Sequence, residues 1–312
     1  MSSCGLFGFL FYEGFYAAHP FIRLSIFGNR TAGVTYLCTF FHGVILWTLI
    51  FYLPLYYEAV KGFTPTQAGI AVFPETFTVA PASLIMGLIV SRTGRYQFGV
   101  WTGWLLTTVG TGLLCLLDAH TTNLSCILLN LVGGVGIGLL FSGMAFAIQA
   151  SAWTAGEDMG FAIAMFCFLR ALGTVRLCPL RLSYDYSVSI FDSLRCAKQL
   201  QAVGVAVSGT IFQNCLKAMA LSRPLLAPYA QEYSQNAADL AQIIKMMPAG
   251  DLRTEVKQAY ADALKVVWGV MCGVSAIGLA ATFFTKEFSL DGPDKMDYGS
   301  EEDTSSKEVE KC

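Results

Sequence analysis

Apolar residues come in long runs separated by short polar breaks, not in alternation with polar ones. About 20 consecutive apolar residues are the length of a helix that crosses a bilayer. The runs predict spans over Val34–Tyr56, Gly69–Val90, Phe98–Leu117, Cys126–Ile148 and Ala263–Phe284. The first ends near Pro54 and Tyr56-Tyr57. The second contains Pro74 and Pro81 and closes at Arg92, Gly94 and Arg95. The fourth carries Gly133, Gly134, Gly136 and Gly138, small residues that let membrane helices approach closely.

Three stretches break this rhythm. Leu6–Ala17 is apolar but too short to span and contains Glu13, so it reads as the remaining end of a helix. Met159–Gly173 and Gln201–Phe212 are each too short to cross a hydrocarbon core of about 30 Å. Between them lies Thr174–Leu200, charged and without a period of 2 or 3.6. Joined directly, the two flanks make one span, which predicts that 174–200 is an inserted loop. Gln213–Tyr260 reads as a long polar loop with an amphipathic piece over Ala237–Met247.

Composition agrees with the spans. Hydrophobic residues are 54% of the 312, charged residues 13%, and mean hydropathy is +0.55. A soluble domain is nearer one-quarter charged. A net charge of −2 gives no field for a polyanion, which excludes a nucleic-acid partner of the basic type. From Lys286 onward nine acids face four lysines, which predicts an acidic, disordered tail over 286–312. The ten cysteines have no paired spacing, and the histidines are too scattered for a metal cluster. With no Walker loop, neither an enzyme nor an ATP-driven pump is indicated, and no cofactor is expected. Gly133–Gly138 imitates a nucleotide loop but lies within a span.

Basic residues in short loops set orientation. Arg23 and Arg30 precede the first span, Arg92 and Arg95 follow the second, and Lys286 follows the last. Counting the fifth span once puts them all on one side, the cytoplasmic one, with Asp118–Asn123 outside.

Gly87, Arg92, Gly94 and Arg95 in Gly87-Leu-Ile-Val-Ser-Arg-Thr-Gly-Arg-Tyr96 resemble the cytoplasmic loop motif of the major facilitator superfamily, with Ser91 where the acid belongs. The segments Phe51–Tyr57, Phe73–Pro81 and Ala145–Ala150 are similar to the C-terminal half of fungal fourteen-helix drug:proton antiporters. The resemblance covers Glu13–Leu290 and fails over Thr174–Leu200, where the family pattern runs Arg170–Gly173 straight into Gln201–Gly204.

Together these imply an all-α membrane protein, the C-terminal six-helix bundle of a major facilitator fold with a partial extra N-terminal helix. Its expected divisions are 1–30, a truncated helix and cytoplasmic linker; 31–285, the bundle, with 174–200 inserted and 213–260 outside; and 286–312, the tail. The resemblance implies efflux of small hydrophobic drugs or toxins by proton antiport at the plasma membrane. Its partners would be the lipid bilayer, a small hydrophobic substrate, protons and a missing N-terminal half. The rival readings are a non-transporting half-transporter or truncated gene product, and a siderophore or nutrient carrier.

Ionisable groups inside spans are the first functional candidates. Glu75, between Pro74 and Pro81, either titrates during transport or sits at the outer interface against backbone freed by the prolines. Arg170, near mid-membrane, pairs with Glu75, lines the substrate path or serves the bundle structurally. His42 either titrates or is a satisfied core histidine. Trp47, Tyr52, Phe77, Asn130 and Gln149 are candidates for a substrate cavity, against the competing roles of lipid belt and helix contact.

Overall fold

Caps and prolines place the helix ends. Asn29 Oδ1 accepts from the Thr31 amide and starts α1, Arg30–Ala59. Thr64 and Gln67 form a reciprocal capping box around Pro65, and α2 runs Pro65–Thr93. It stops at Gly94, whose φ of 66° lies in the left-handed region and lets its amide bond back to Val90 O. The remaining helices are α3 (Gln97–Leu114), α4 (Asn123–Ala155), α5 (Met159–Leu172), α6 (Val203–Leu221), α7 (Ala230–Tyr233, after a 3-10 turn over Ala227–Tyr229), α8 (Ala237–Met246) and α9 (Asp251–Thr282). This computed structural model describes residues 29–119, 121–155, 159–172, 203–235, 237–286 and 288. The expected helix stub at Leu6–Ala17, the 174–200 insert and the tail from residue 289 lie outside the described residues. No strand occurs among the described residues.

The fold is that of an all-α, multi-pass membrane protein. Among the described residues four helices are long and apolar enough to cross a bilayer: α1, α2, α4 over Ser125–Trp153, and α9. Helices α3 and α6 have 18 and 19 residues and pack among them. The core runs through Ile45, Leu49 and Leu53 of α1, Ile137, Leu140 and Met144 of α4, and Leu264, Val267 and Trp268 of α9. Large apolar side chains such as Ile70, Ile85 and Phe98 stay exposed, as contact with lipid requires.

Since lipid is as apolar as leucine, close packing must hold the helices together. The α4 glycines supply it. A methyl group at Gly136 would lie 2.5 Å from Thr107 N of α3, and one at Gly138 2.5 Å from Val79 O of α2. Successive glycines thus seat α4 against two neighbours.

Two boundaries differ from the sequence reading. Pro54 does not end the first span; α1 continues through it to Ala59. Proline removes one backbone donor, a loss that a helix packed among others absorbs. Gln213–Tyr260, expected as a polar loop, is largely helical. Helix α6 continues to Leu221, α8 buries Leu240, Ala241 and Ile244, and α9 begins at Asp251. Its first turns bury Val256, Ala259, Tyr260 and Leu264 at helical spacing. The polar residues between them hide this stripe from a count of apolar runs.

The end of α5 and the start of α6 meet the same turn of α1. A methyl at Gly43 would fall 2.6 Å from Arg170 O, and one at Gly204 2.6 Å from Val44 O. Tyr36 OH donates to Ala162 O at 3.2 Å, and Thr48 Oγ1 to Gly204 O at 3.2 Å. Farther along, the Tyr52 and Phe212 rings lie 5.9 Å apart. Contacts therefore advance along α1 first with α5 and then with α6.

The chain's polar groups collect at the two ends. At one end Arg30 lies 5.8 Å from the Phe284 ring, Gln97 Nε2 donates to Thr285 O, and the Lys286 amide donates to Thr31 Oγ1. These contacts join all three loops on which orientation was argued. At the other end Lys61 Nζ donates to the carbonyls of Asp118, Ala119 and Thr121. Lys265 pairs with Asp118 at 3.4 Å and Asp262 at 3.1 Å, Arg223 with Asp262 at 3.0 Å, and Lys245 with Glu58 at 2.7 Å. Burial pushes the Asp118 carboxyl up. Hydrogen bonds from Gln258 and the Ala119 amide, with the Lys265 charge, outweigh it and hold the group below the usual aspartate range.

Candidate functional site

Three helices wall a groove. Helix α2 presents Thr76, Ala80, Ser83 and Gly87, at steps of three and four that keep them on one face. Helix α4 presents Phe141, Ser142, Ala145, Phe146 and Gln149, and α5 presents Ile163, Phe166, Cys167 and Arg170 at the same steps. The α2 side encloses about 750 Å³. A cavity of about 330 Å³ between α4 and α5 adjoins it through Ser83, Phe141 and Ser142. The walls are mostly apolar with a few convergent polar groups, the usual character of a small-molecule site. Ser83 Oγ and Ser142 Oγ are 2.6 Å apart and tie α2 to α4.

Arg170 closes one end. Its guanidinium carbon lies 3.9 Å from the Phe141 ring centroid and 4.3 Å from that of Phe166, and Nη2 donates to Phe141 O at 3.1 Å. Nε is buried and has no partner among the described residues. Of the alternatives weighed for Arg170, the pairing with Glu75 does not occur: no ion pair joins them, and the aromatic rings take the place of a carboxylate.

Glu75 lies in the α2–α4 seam, 5% exposed, with Oε2 unpartnered among the described residues. Thr78 Oγ1 donates to its backbone carbonyl at 2.8 Å, which accommodates one carbonyl in the stretch between the prolines. Nearby, Asn130 Nδ2 donates to Tyr57 OH at 2.8 Å, while Asn130 Oδ1 is buried without a partner among the described residues. The Glu75 side chain is packed away from solvent.

The other candidates divide. Gln149 lines the cavity. Asn130 serves a helix contact. Tyr52 is buried against Phe212, and Trp47 packs on the core. Phe77 is 61% exposed, stacks on Phe73 at 5.2 Å and is not among the residues that line the groove. His42 is fully buried with Nε2 3.2 Å from Ile137 O, while Nδ1 is buried without a partner among the described residues. Arg92 is exposed in the last turn of α2 and Arg95 just beyond it, and Gly94 makes the turn between helices. Gly87 makes no close helix approach, since a methyl there would meet nothing within 4 Å; it lines the groove instead. The sequence reading missed Ser83, Phe141, Ser142, Phe146 and Phe166. Their i, i+3/i+4 spacing was visible, but nothing in one sequence says which face of an all-apolar helix looks inward.

No protein-family model matches the chain. Individual proteins do. The chain is 42% identical over 311 residues to "MFS transporter L2" of a Phoma species, an alignment covering 100% of this chain and 47% of that protein. It is 31% identical over 294 residues to "MFS-type efflux pump MMF1" of Pseudozyma antarctica, covering 92% of this chain and 48% of the other. It is 27% identical over 302 residues to "Efflux pump FUS6" of Gibberella moniliformis, at 96% and 48%. Its relatives are major facilitator transporters. The chain spans about half the length of the curated relatives it matches.

Proposed function

We propose that this chain is the C-terminal helical bundle of a fourteen-helix major facilitator transporter. It would export small hydrophobic compounds across the plasma membrane in exchange for protons. The observation that supports this best is the groove on α2, α4 and α5. It is an apolar cleft with a few polar groups, on a membrane bundle whose similarity runs along half of several efflux pumps. Transport by rocking bundles places the substrate at their interface, so one bundle supplies one wall of the site. Glu75 is the proposed proton carrier. It is a buried carboxyl with a free oxygen, set in a helix with two internal prolines beside the groove.

The test uses yeast cells lacking their own drug exporters and loaded with Nile red. This chain is expressed alone or together with the N-terminal half of the Phoma relative. Proton-gradient-dependent loss of dye from the pair, but not from cells expressing this chain alone, is the expected result. Export by this chain alone would contradict the division of labour. Retention by the pair would remove the transport reading in favour of a non-transporting membrane subunit.

A further inference from the structure

Among the described residues that line the groove there is one permanent charge and no carboxylate to balance it. Arg170 is held by two aromatic rings and one carbonyl, contacts that fix a guanidinium without neutralising it. Among the described residues it forms no ion pair, and no carboxylate lines the groove. A hydrogen bond to Phe141 O uses one of five N–H donors, and Nε is buried with nothing to receive its proton. Charges at membrane depth are costly and are normally paired, and a cation standing unpaired beside a cavity marks the place where its counter-ion arrives.

The cavity also indicates what carries that counter-ion. Phe146, Ile163 and Phe166 form an apolar wall next to the guanidinium, and the hydroxyls of Ser83 and Ser142 bond to each other. A neutral apolar compound would fill the wall and leave the charge bare; a cationic one would be repelled. Only a molecule with an apolar body and an anionic end satisfies both. Arginine's planar fork suits a carboxylate in particular.

Resting on the transport reading above, we propose that the compounds taken by this groove are amphipathic organic acids. The carboxylate sits on the Arg170 guanidinium N–H groups that Phe141 O leaves free, and the apolar body lies against Phe146, Ile163 and Phe166.

Binding tests this without requiring transport. The full chain in lipid nanodiscs is titrated with tritiated 1-naphthylacetate and with its neutral isostere 1-naphthylacetamide. The acid should bind at least about tenfold more tightly than the amide. Arg170→Gln should bring the two within about twofold while leaving the amide unchanged, and Arg170→Lys should keep part of the preference. Phe146→Ala should weaken both probes alike and keep their ratio. Equal binding of acid and amide by the unaltered chain, binding of neither, or a preference that survives Arg170→Gln would each overturn the proposal. The comparison on the unaltered chain needs no variant to fold. Selective binding of the acid by the chain, together with retention of Nile red by the co-expressed pair, loses the transport reading and keeps this one; the reverse result loses this one alone.

Discussion

Gly138→Ala tests whether backbone contact between α2 and α4 holds the groove together. The new methyl would lie 2.5 Å from Val79 O, 2.7 Å from Ala82 Cβ and 3.0 Å from Val79 Cα. Two of these are backbone atoms, which cannot swing aside as a side-chain tip can. Ordinary contact begins near 3.4 Å, so the helices must part by about 1 Å. Overpacking of this kind costs about 1–3 kcal/mol. Replacing a mid-helix glycine by alanine returns about 0.5–1 kcal/mol. The packing term wins, leaving roughly 1–2 kcal/mol of destabilisation, or a fall in Tm of about 2–8 °C for a domain of this size. Gly269→Ala is the comparison. A methyl there meets nothing within 4 Å on an exposed face of α9, so only the helix term remains and Tm should rise slightly. Thermal denaturation of the detergent-purified chain, followed by loss of the monodisperse peak, reads both. Shifts of the same sign, or a Gly138→Ala chain as stable as the original, would refute the packing argument.

Three further outcomes are expected. The Asp118 carboxyl is held below its ordinary range in the folded chain, so its contribution to stability is present above the unfolded value near pH 4 and is lost as pH falls through the folded one. Asp118→Asn should therefore lower Tm at pH 7, by an amount that shrinks as pH falls below the unfolded value near 4, in melts across that range. Deleting residues 174–200 should raise expression and Tm, because α1 already receives the end of α5 at Gly43 and the start of α6 at Val44; a fall in both would show that the segment is part of the fold. In the co-expressed pair, Glu75→Gln should weaken the dependence of Nile red export on the proton gradient, and unchanged dependence would remove Glu75 as the proton carrier.

The spans were legible because lipid demands continuous apolar helices, and those over Val34–Tyr56 and Cys126–Ile148 read directly from composition. The loop at Gly94 was legible for a different reason: only glycine reaches φ of 66° without strain. What was hidden has a common cause. Helix α9 mixes Asp251, Arg253, Glu255 and Lys257 with its buried stripe, so its first three turns average to a polar loop. In the groove the difficulty is the opposite. Where every position is apolar, periodicity carries no phase, and Phe77 on the outside of α2 looks no different from Phe141 inside. Arg170 and Glu75 stood out as charges in apolar surroundings. Their separation did not, since nothing in sequence predicts that two phenylalanines will take a carboxylate's place.

Helices α2, α4 and α5 are proposed to wall a route open to water and solute inside the membrane. Cys167 reports on it directly, since this thiol lines the cavity beside Arg170 and is exposed, whereas Cys38 is 1% exposed in the core. The chain in proteoliposomes is treated with a membrane-impermeant maleimide, and each cysteine is read by mass spectrometry over time. Cys167 should react much faster than Cys38, and 1-naphthylacetate should slow it without changing Cys38. A Cys167 that reacts as slowly as Cys38 would mean that this face meets lipid, and the groove would not be a solute route.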